Sequence, residues 1–360
     1  MNQDNKQSQS AKRSSNLELY RIITMLLIVA HHYVVYSGLL NVMEQNYTSP
    51  ISVFYYIFGM WGKTGINCFV MITGYFMCQS KITLRKFLKL YFEVIFYGLV
   101  ILGIFVVIGK ADFSLGQIVF ALLPFCNVVS DNFVNAFMVW WLTIPFLNIL
   151  VTNMTRRQHQ LLIVFCAVVF SLYDKIPITE IAVNPLCWFS TIYFIASYIR
   201  LYPESIYKSS SSKTWGLLSV GVVLLSIICV PIIQQVYLYL GKTNVPWGLI
   251  SDCNAPLALV VSVTTFMFFK NLKMKYSPII NTIGATTFGV LLIHSNGCIR
   301  GWLWGKVIGC VAHFDVPYFW LYAIASVLII FVCCSFIDYL RIRFMERPFM
   351  KWIDTKLVAR

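Results

Sequence analysis

The sequence has 360 residues, of which 59% are hydrophobic and only 12% are charged, and its formal net charge is +14. Globular chains are about 45–50% apolar and about 25% charged, so this composition excludes an ordinary water-soluble core and a disordered chain. The 11 cysteines are too sparse, and odd in number, for a disulfide-stapled secreted domain. The composition is typical of an all-α, polytopic membrane protein, whose solvent is lipid.

Ten apolar segments are candidate membrane spans, since a spanning helix needs about 20 mostly apolar residues. They cover residues 19–39, 52–77, 87–108, 133–151, 159–173, 186–201, 215–240, 252–269, 279–296 and 316–340. Residues 113–125 are apolar but too short to span, and they predict a re-entrant or interfacial helix. Residues 1–16 are predicted to be a disordered cytoplasmic tail and residues 352–360 a second cytoplasmic tail, which leaves 17–351 as one integral-membrane domain.

The basic residues support this division of the chain. With the N-terminus inside and alternating spans, 22 of the 28 Lys and Arg residues lie on the inner side. The other 6 lie outside, namely Lys63, Lys110, Lys175, Lys242, Arg300 and Lys306. Because Lys and Arg favour cytoplasmic loops, both termini are predicted to be cytoplasmic in a multi-pass protein of the cell membrane. Topology thus accounts for the positive charge, and no nucleic-acid partner is predicted.

The first predicted span carries Glu18, Arg21, His31 and His32, and ionisable groups inside a span are costly and often functional. From Arg21 to His32 a helix turns by about 1100°, so the two residues share a face about 16 Å apart along the axis. His31 lies about 80° from that face. Two hypotheses are open: a buried base at His32 above a cationic entrance, or an interface histidine beside a snorkelling arginine.

Three polar residues, Lys63, Asn67 and Thr73, lie in the second predicted span. Gly65 and Gly74 allow close helix approach around them, and Thr73 can hydrogen-bond across, so this part of the span is typical of a helix-packing face. Lys63 either snorkels outward or faces a polar cavity.

A basic stretch with Arg85, Lys86 and Lys89 follows at the inner membrane boundary. One hypothesis is anchoring to anionic lipid, and the other is a clamp for the phosphates of a bulky anionic cosubstrate from the cytoplasm. Late in the chain, His294 lies at the outer end of the ninth predicted span, where it either contacts a substrate or is structural. No His or Cys set has metal-ligand spacing, so no metal is predicted.

Taken in order, these features resemble the integral-membrane acyltransferase family called acyltransferase type 3. Arg21 and His32 match its Arg-x10-His pattern, and residues 65–75 resemble its second-span pattern, with Thr73 where Ser is usual. Lys86 and Lys89 replace the arginines of its Arg-x-x-Arg segment, and Phe92 stands where Pro often follows. Residues 290–294 and 346–348 are similar to its late span and its ending, so the resemblance covers residues 18 to 348.

The resemblance implies an O-acetyltransferase that moves an acetyl or other acyl group from cytoplasmic acetyl-CoA to a hydroxyl. The implied acceptor is a sugar of a bacterial envelope or extracellular polysaccharide, or its lipid-linked saccharide precursor. By the same resemblance Arg21, Lys86 and Lys89, with Arg85 beside them, hold the nucleotide phosphates. His32 is then the general base or a transient acyl carrier, and Glu18, Lys63, Asn67, Thr73 and His294 are supporting, oxyanion-binding or acceptor candidates.

A transporter or flippase of a lipid-linked sugar is the alternative function. It needs a wide polar path, whereas the clearly intramembrane ionisable groups number few, chiefly His31, His32 and Lys63, with Glu93 at the margin. A non-catalytic membrane sensor or scaffold is a third hypothesis, and it requires no alignment of Arg21 with His32. Neither composition nor motifs predict the oligomeric state, and both a monomer and a homo-oligomer are consistent with the sequence.

Overall fold

The computed structural model describes residues 14–125, 133–176, 183–204 and 211–358, and within these ranges all regular structure is helical. Fifteen α-helices run in the order α1 Ser15–Val35, α2 Leu39–Gln45, α3 Pro50–Gly59, α4 Gly62–Met77, α5 Leu84–Val107, α6 Leu115–Leu122, α7 Phe133–Asn153, α8 Arg156–Ala167, α9 Pro185–Leu201, α10 Ser212–Tyr239, α11 Pro256–Asn271, α12 Pro278–His294, α13 Gly297–Trp302, α14 Phe319–Arg341 and α15 Arg347–Val358. The all-α fold predicted from the sequence is confirmed.

Among the described residues, five helices are long and apolar enough to cross a membrane, or six if a bent pair counts as one span. They are Ser15–Val35, Leu84–Val107, Phe133–Asn153, Ser212–Tyr239 and Phe319–Lys356. The last of these ranges runs through α14 into α15. The bent pair, Pro278–His294 with Gly297–His313, turns by 71° after His294. The chain is therefore a helical membrane protein, while ten crossings and two cytoplasmic termini stay predictions.

Each of the ten predicted segments coincides with helical structure, but the second is interrupted. It divides into α3 and α4 at Met60 and Trp61, between Gly59 and Gly62. The short apolar segment at 113–125 contains α6, none of whose residues is buried. Six of its eight residues are exposed, and the interfacial position of this helix stays a prediction.

The helices differ in how deeply the protein surrounds them. In α1, 61% of the most apolar window is buried inside the protein, against 17% in α10. Because α1 packs against α4, α12 and α14, it is a central helix, whereas α10 presents most of its apolar surface outward to lipid.

Two glycines of α12 let carboxylates from neighbouring helices enter the bundle. A Cβ atom on Gly284 would lie 2.4 Å from Oε2 of Glu18 on α1, and one on Gly289 would lie 2.1 Å from Cγ of Asp338 on α14. Any larger side chain at either position would collide with a carboxylate. Small residues at membrane helix interfaces allow such close approach, so α12 is the element against which α1 and α14 are fitted.

Candidate active site

A cavity of about 630 Å³ lies at the ends of α1 and α12, beside the break between α3 and α4. His32 and Tyr36 project from α1, Lys63 comes from the first turn of α4, and Arg300 comes from α13. The full lining is Ile28, His31, His32, Tyr36, Gly62, Lys63, Ile66, Phe133, Val134, Leu291, Ser295, Gly297 and Arg300. In the predicted orientation it lies in the outer half of the membrane, and we call it the outer cavity.

A chain of two hydrogen bonds fixes the His32 imidazole. Nδ1 of His32 is 2.8 Å from Nε2 of His294, and Nδ1 of His294 is 2.6 Å from the carbonyl oxygen of Val290. Because a carbonyl only accepts, Nδ1 of His294 donates to it, and in a neutral ring Nε2 then accepts from Nδ1–H of His32. The lone pair of a neutral His32 therefore resides on Nε2, so the ring is held as a base.

His294 is fully buried. Both of its ring nitrogens bond to protein groups, namely His32 and the Val290 carbonyl oxygen. The ring stands edge-on to Trp304, with centroids 6.2 Å apart. Such a histidine, bonded on one side to its own helix, cannot turn away from His32. The sequence left two roles open for His294, a substrate contact or a structural histidine. The structure shows a third arrangement, in which His294 contacts the candidate base itself.

His31 serves the helix break beside the cavity. Its Nδ1 lies 2.6 Å from the carbonyl oxygen of Gly59, which the interruption between α3 and α4 leaves without a helical partner. Gly62 makes room for the ring, since a Cβ there would lie 2.2 Å from Cγ of His31. His31 therefore holds the wall of the outer cavity, while His32, whose Nδ1 is bonded to His294, lines the same cavity.

Two cations line the outer cavity. Lys63 is 3.5 Å from the Asp252 carboxylate, and both side chains are about half exposed, at 47% and 48%. The guanidinium carbon of Arg300 is 4.9 Å from the centroid of the Tyr36 ring, on which the His32 ring also stacks at 4.5 Å. No carboxylate occurs among the described residues of the lining, so the cavity is positively charged.

Arg21 and Glu18 lie deeper along α1, outside the lining. Arg21 pairs with Glu18 at 3.3 Å, and its guanidinium carbon is 5.7 Å from the centroid of the Phe69 ring. Phe69 in turn contacts Phe133, which lines the outer cavity, with centroids 6.3 Å apart. An aromatic contact thus connects Arg21 to the His32 site, and the structure places no side chain of this pair beside His32.

A second cavity, of about 650 Å³, lies at the other end of α12, between α5 and the C-terminal helices. Four cations line this inner cavity, namely Arg85, Lys89, Arg347 and Lys351, together with the carboxylates Glu93, Glu346 and Asp354. Arg85 pairs with Asp354 at 2.6 Å and Lys89 with Glu346 at 2.8 Å. The basic stretch therefore contributes two of its three members to a charged cavity.

Asn281 is the unexpected member of the inner cavity. Its side chain is only 7% exposed, yet neither its amide nitrogen nor its amide oxygen has a hydrogen-bond partner in the protein. A buried amide without partners costs about 1–3 kcal/mol. A ligand that hydrogen-bonds to this amide would recover that cost.

Beneath the inner cavity, Arg341 is surrounded by acids. Its nitrogens lie 2.6 Å from Asp338, 2.9 Å from Glu346 and 3.0 Å from Glu93. Tyr97 donates a hydrogen bond to Asp338 over 2.8 Å. All of these groups are buried, so this Arg341 cluster fastens α5 to α14 and to the turn that leads into α15.

The remaining predicted site residues lie elsewhere. Lys86 turns away from the inner cavity and bonds to Ser80 and to the carbonyl oxygen of Lys81. Asn67 is fully buried and bonds to the Cys253 carbonyl oxygen at 2.6 Å and the Trp188 indole at 2.8 Å. Thr73 donates within its own helix to Phe69 at 3.0 Å. The structure does not bring these three side chains to His32.

The short set of intramembrane ionisable groups expected from the sequence omits one member, Asp338. Asp338 lies in an apolar helix and is fully buried, with Arg341 three residues later. The sequence could have predicted this buried pair, because an Asp inside a span is costly and an Arg three residues later lies on the same helix face. The sequence does not predict that Arg300 lines the cavity, because this depends on the 71° bend after His294, which hydropathy does not predict.

The described residues contain no group of three or more His, Cys, Asp or Glu side chains able to hold a metal ion. No curated protein and no solved structure matches the chain. A family model for the acyltransferase domain of the acyltransferase 3 family matches residues 14–338, which is most of the chain and includes both His32 and His294. The chain therefore belongs to the acyltransferase 3 family of polytopic membrane proteins, and it is an acyltransferase.

Proposed function

We propose that this acyltransferase is an O-acetyltransferase of the bacterial cell membrane that uses acetyl-CoA and modifies a sugar hydroxyl. The acceptor is an envelope or extracellular polysaccharide, or its lipid-linked precursor. The observation that carries the proposal is the His32–His294–Val290 hydrogen-bond chain, which leaves Nε2 of His32 as a fixed base in a cavity large enough for a sugar.

The inner cavity supports the choice of donor. Coenzyme A carries several phosphates on a nucleotide, and Arg85, Lys89, Arg347 and Lys351 place four cations around one space. The unpartnered amide of Asn281 in the same wall fits a polar nucleotide. Arg85 and Lys89 would hold phosphates in this arrangement, and Lys86, which bonds elsewhere, would not.

The chemistry then follows from the position of the base. Nε2 of His32 takes the proton of the sugar hydroxyl as its oxygen attacks the thioester carbonyl carbon. The new C–O ester bond forms, the C–S bond breaks, and the proton passes to the departing coenzyme A sulfur. A thioester that approaches from the inner side would have to span the distance of about 16 Å along α1 between Arg21 and His32, which an extended arm can do.

A single substitution tests this proposal. His32→Ala should lower acyl transfer by about a hundredfold to ten-thousandfold, the usual contribution of a general base. The protein should remain at normal abundance in the membrane. Acetyl content of the purified envelope glycans, measured by proton NMR, should fall to that of a strain lacking the protein.

His31→Ala is the matched neighbour, and it should retain more activity because His31 bonds to Gly59 rather than to the reacting groups. Unchanged glycan acetylation in the His32→Ala strain would contradict the assignment. A larger loss with His31→Ala than with His32→Ala would contradict the choice of base.

A further inference from the structure

The outer cavity holds one cation that the fold leaves without an acidic partner. Among the described residues no carboxylate pairs with Arg300, whereas the other lining cation, Lys63, has Asp252 at 3.5 Å. Arg300 is exposed, and its guanidinium lies over the face of the Tyr36 ring. A guanidinium laid on an aromatic ring keeps its N–H groups at the edge free to bind a planar anion in bidentate fashion.

Arg300 is also close to the candidate base. The Tyr36 ring contacts both groups, with the guanidinium carbon at 4.9 Å and the His32 imidazole centroid at 4.5 Å. Both side chains line the same cavity. An anion held by Arg300 would therefore belong to the same sugar as the hydroxyl that faces His32, or to the residue next to it.

Resting on the proposed O-acetyl transfer, we propose that the acceptor is an anionic glycan and that Arg300 binds its carboxylate or phosphate. Tyr36 orients the guanidinium, and Lys63, which pairs with Asp252, also lines the cavity. Because no described carboxylate lines the cavity, its field favours an acidic sugar over a neutral one. Arg300 is thus a specificity-determining residue.

The enzyme in lipid nanodiscs with acetyl-CoA provides a direct test, with acceptors that are either neutral or carry one anionic group. The probes are p-nitrophenyl β-glucuronide, p-nitrophenyl β-glucoside and glucose 1-phosphate. The wild-type protein should acetylate an anionic probe with kcat/KM about tenfold to a hundredfold above that of the glucoside, the range expected for a charge-assisted pair. Preference for the glucuronide or for glucose 1-phosphate distinguishes a carboxylate from a phosphate.

Arg300→Gln should abolish this preference by raising KM for the anionic probe about tenfold or more beyond any change in KM for the glucoside. Arg300→Lys should keep part of it, because the charge remains and the bidentate geometry is lost. Lys306→Gln, an exposed cation that does not line the cavity, is the matched control and should behave as wild type. A wild-type enzyme that favours the glucoside, or an equal fall in kcat for all probes with Arg300→Gln, would overturn the proposal.

The cellular glycan gives an independent answer. Two-dimensional NMR of envelope glycans from strains with and without the protein identifies the sugar that loses its acetyl group. Loss from an acidic residue, or from a direct neighbour of one, supports the inference. Loss from a neutral sugar among neutral neighbours overturns the inference alone, whereas no loss at all overturns the proposed function with it.

Discussion

The inner and outer cavities of this acyltransferase lie at opposite ends of α12 and treat charge differently. In the inner cavity carboxylates accompany the cations, as Arg85 with Asp354 and Lys89 with Glu346. In the outer cavity Lys63 pairs with Asp252, which does not itself line the cavity, and Arg300 has no carboxylate partner among the described residues. Paired charges hold helices together, whereas an uncompensated cation beside a base is available to a ligand. Under the proposed function, donor binding belongs to the inner end, beside the Arg341 cluster, and acceptor binding and chemistry belong to the outer end.

The largest expected effect concerns the Arg341 cluster, where the structural role is strongest. Arg341→Met would leave Glu93, Asp338 and Glu346 buried together, and breaking a buried ion pair costs about 3–5 kcal/mol. The midpoint temperature of unfolding in detergent should fall by on the order of 10 °C. Retention of the folded peak in size-exclusion chromatography after heating measures this midpoint.

Arg343→Met is the matched control, since Arg343 lies two residues away, is exposed and bonds only weakly to Tyr339 at 3.3 Å. Its midpoint should stay within a degree or two of wild type, as exposed substitutions usually cost less than about 0.5 kcal/mol. Equal stability of the two variants would mean that the paired charges of the inner end are not structural.

A smaller effect is expected at the outer end, where His294 positions the base. His294→Leu removes the acceptor for Nδ1–H of His32, and a misplaced catalytic group costs about tenfold to a hundredfold in turnover. His294→Gln supplies a carbonyl oxygen and should recover part of the rate. Rates of thiol release from acetyl-CoA, taken across pH, separate the two variants.

A role in positioning requires that the acidic limb of the pH–rate profile moves in the leucine variant. A profile of unchanged shape, with both substitutions equally slow, would reduce His294 to packing and weaken the contrast between the two cavities.

Hydropathy and motif order were enough to predict part of this organisation. Each apolar segment became helical, and the rotation between Arg21 and His32, with the family pattern, selected the residue that now faces the outer cavity. These features are local, because helical periodicity depends only on neighbouring residues.

Contacts between distant segments were out of reach of the same reasoning. The bond between His32 and His294 joins residues 262 apart, and it exists because α1 packs against α12. The sequence does not predict that the Asp338 carboxylate packs against Gly289. A glycine in a span predicts that another helix approaches closely, but it does not identify the residue that does so. Lys86 matched the motif yet bonds to Ser80 and to the Lys81 carbonyl oxygen, whereas Lys89 pairs with Glu346.

That divergence gives the third test, on the donor side. Lys89→Gln should raise KM for acetyl-CoA about tenfold through loss of one phosphate contact, with kcat little changed. Lys86→Gln should raise it by less than about twofold, because Lys86 does not line the inner cavity. Initial rates at varied acetyl-CoA measure both constants. A larger effect at Lys86 would return the phosphate site to the position predicted from the motif.

The smallest effect is expected at Thr73, where motif and geometry disagree. Its hydroxyl donates to the Phe69 carbonyl oxygen at 3.0 Å within α4, and the residue does not line the outer cavity. Thr73→Val preserves the shape and removes only this local bond, so kcat/KM should change by less than about twofold. A loss of a hundredfold or more, the scale of a missing oxyanion donor, would place the hydroxyl in the chemistry. The reacting groups would then extend from the outer cavity to the level of Thr73 on α4, and the separation of the two ends would fail.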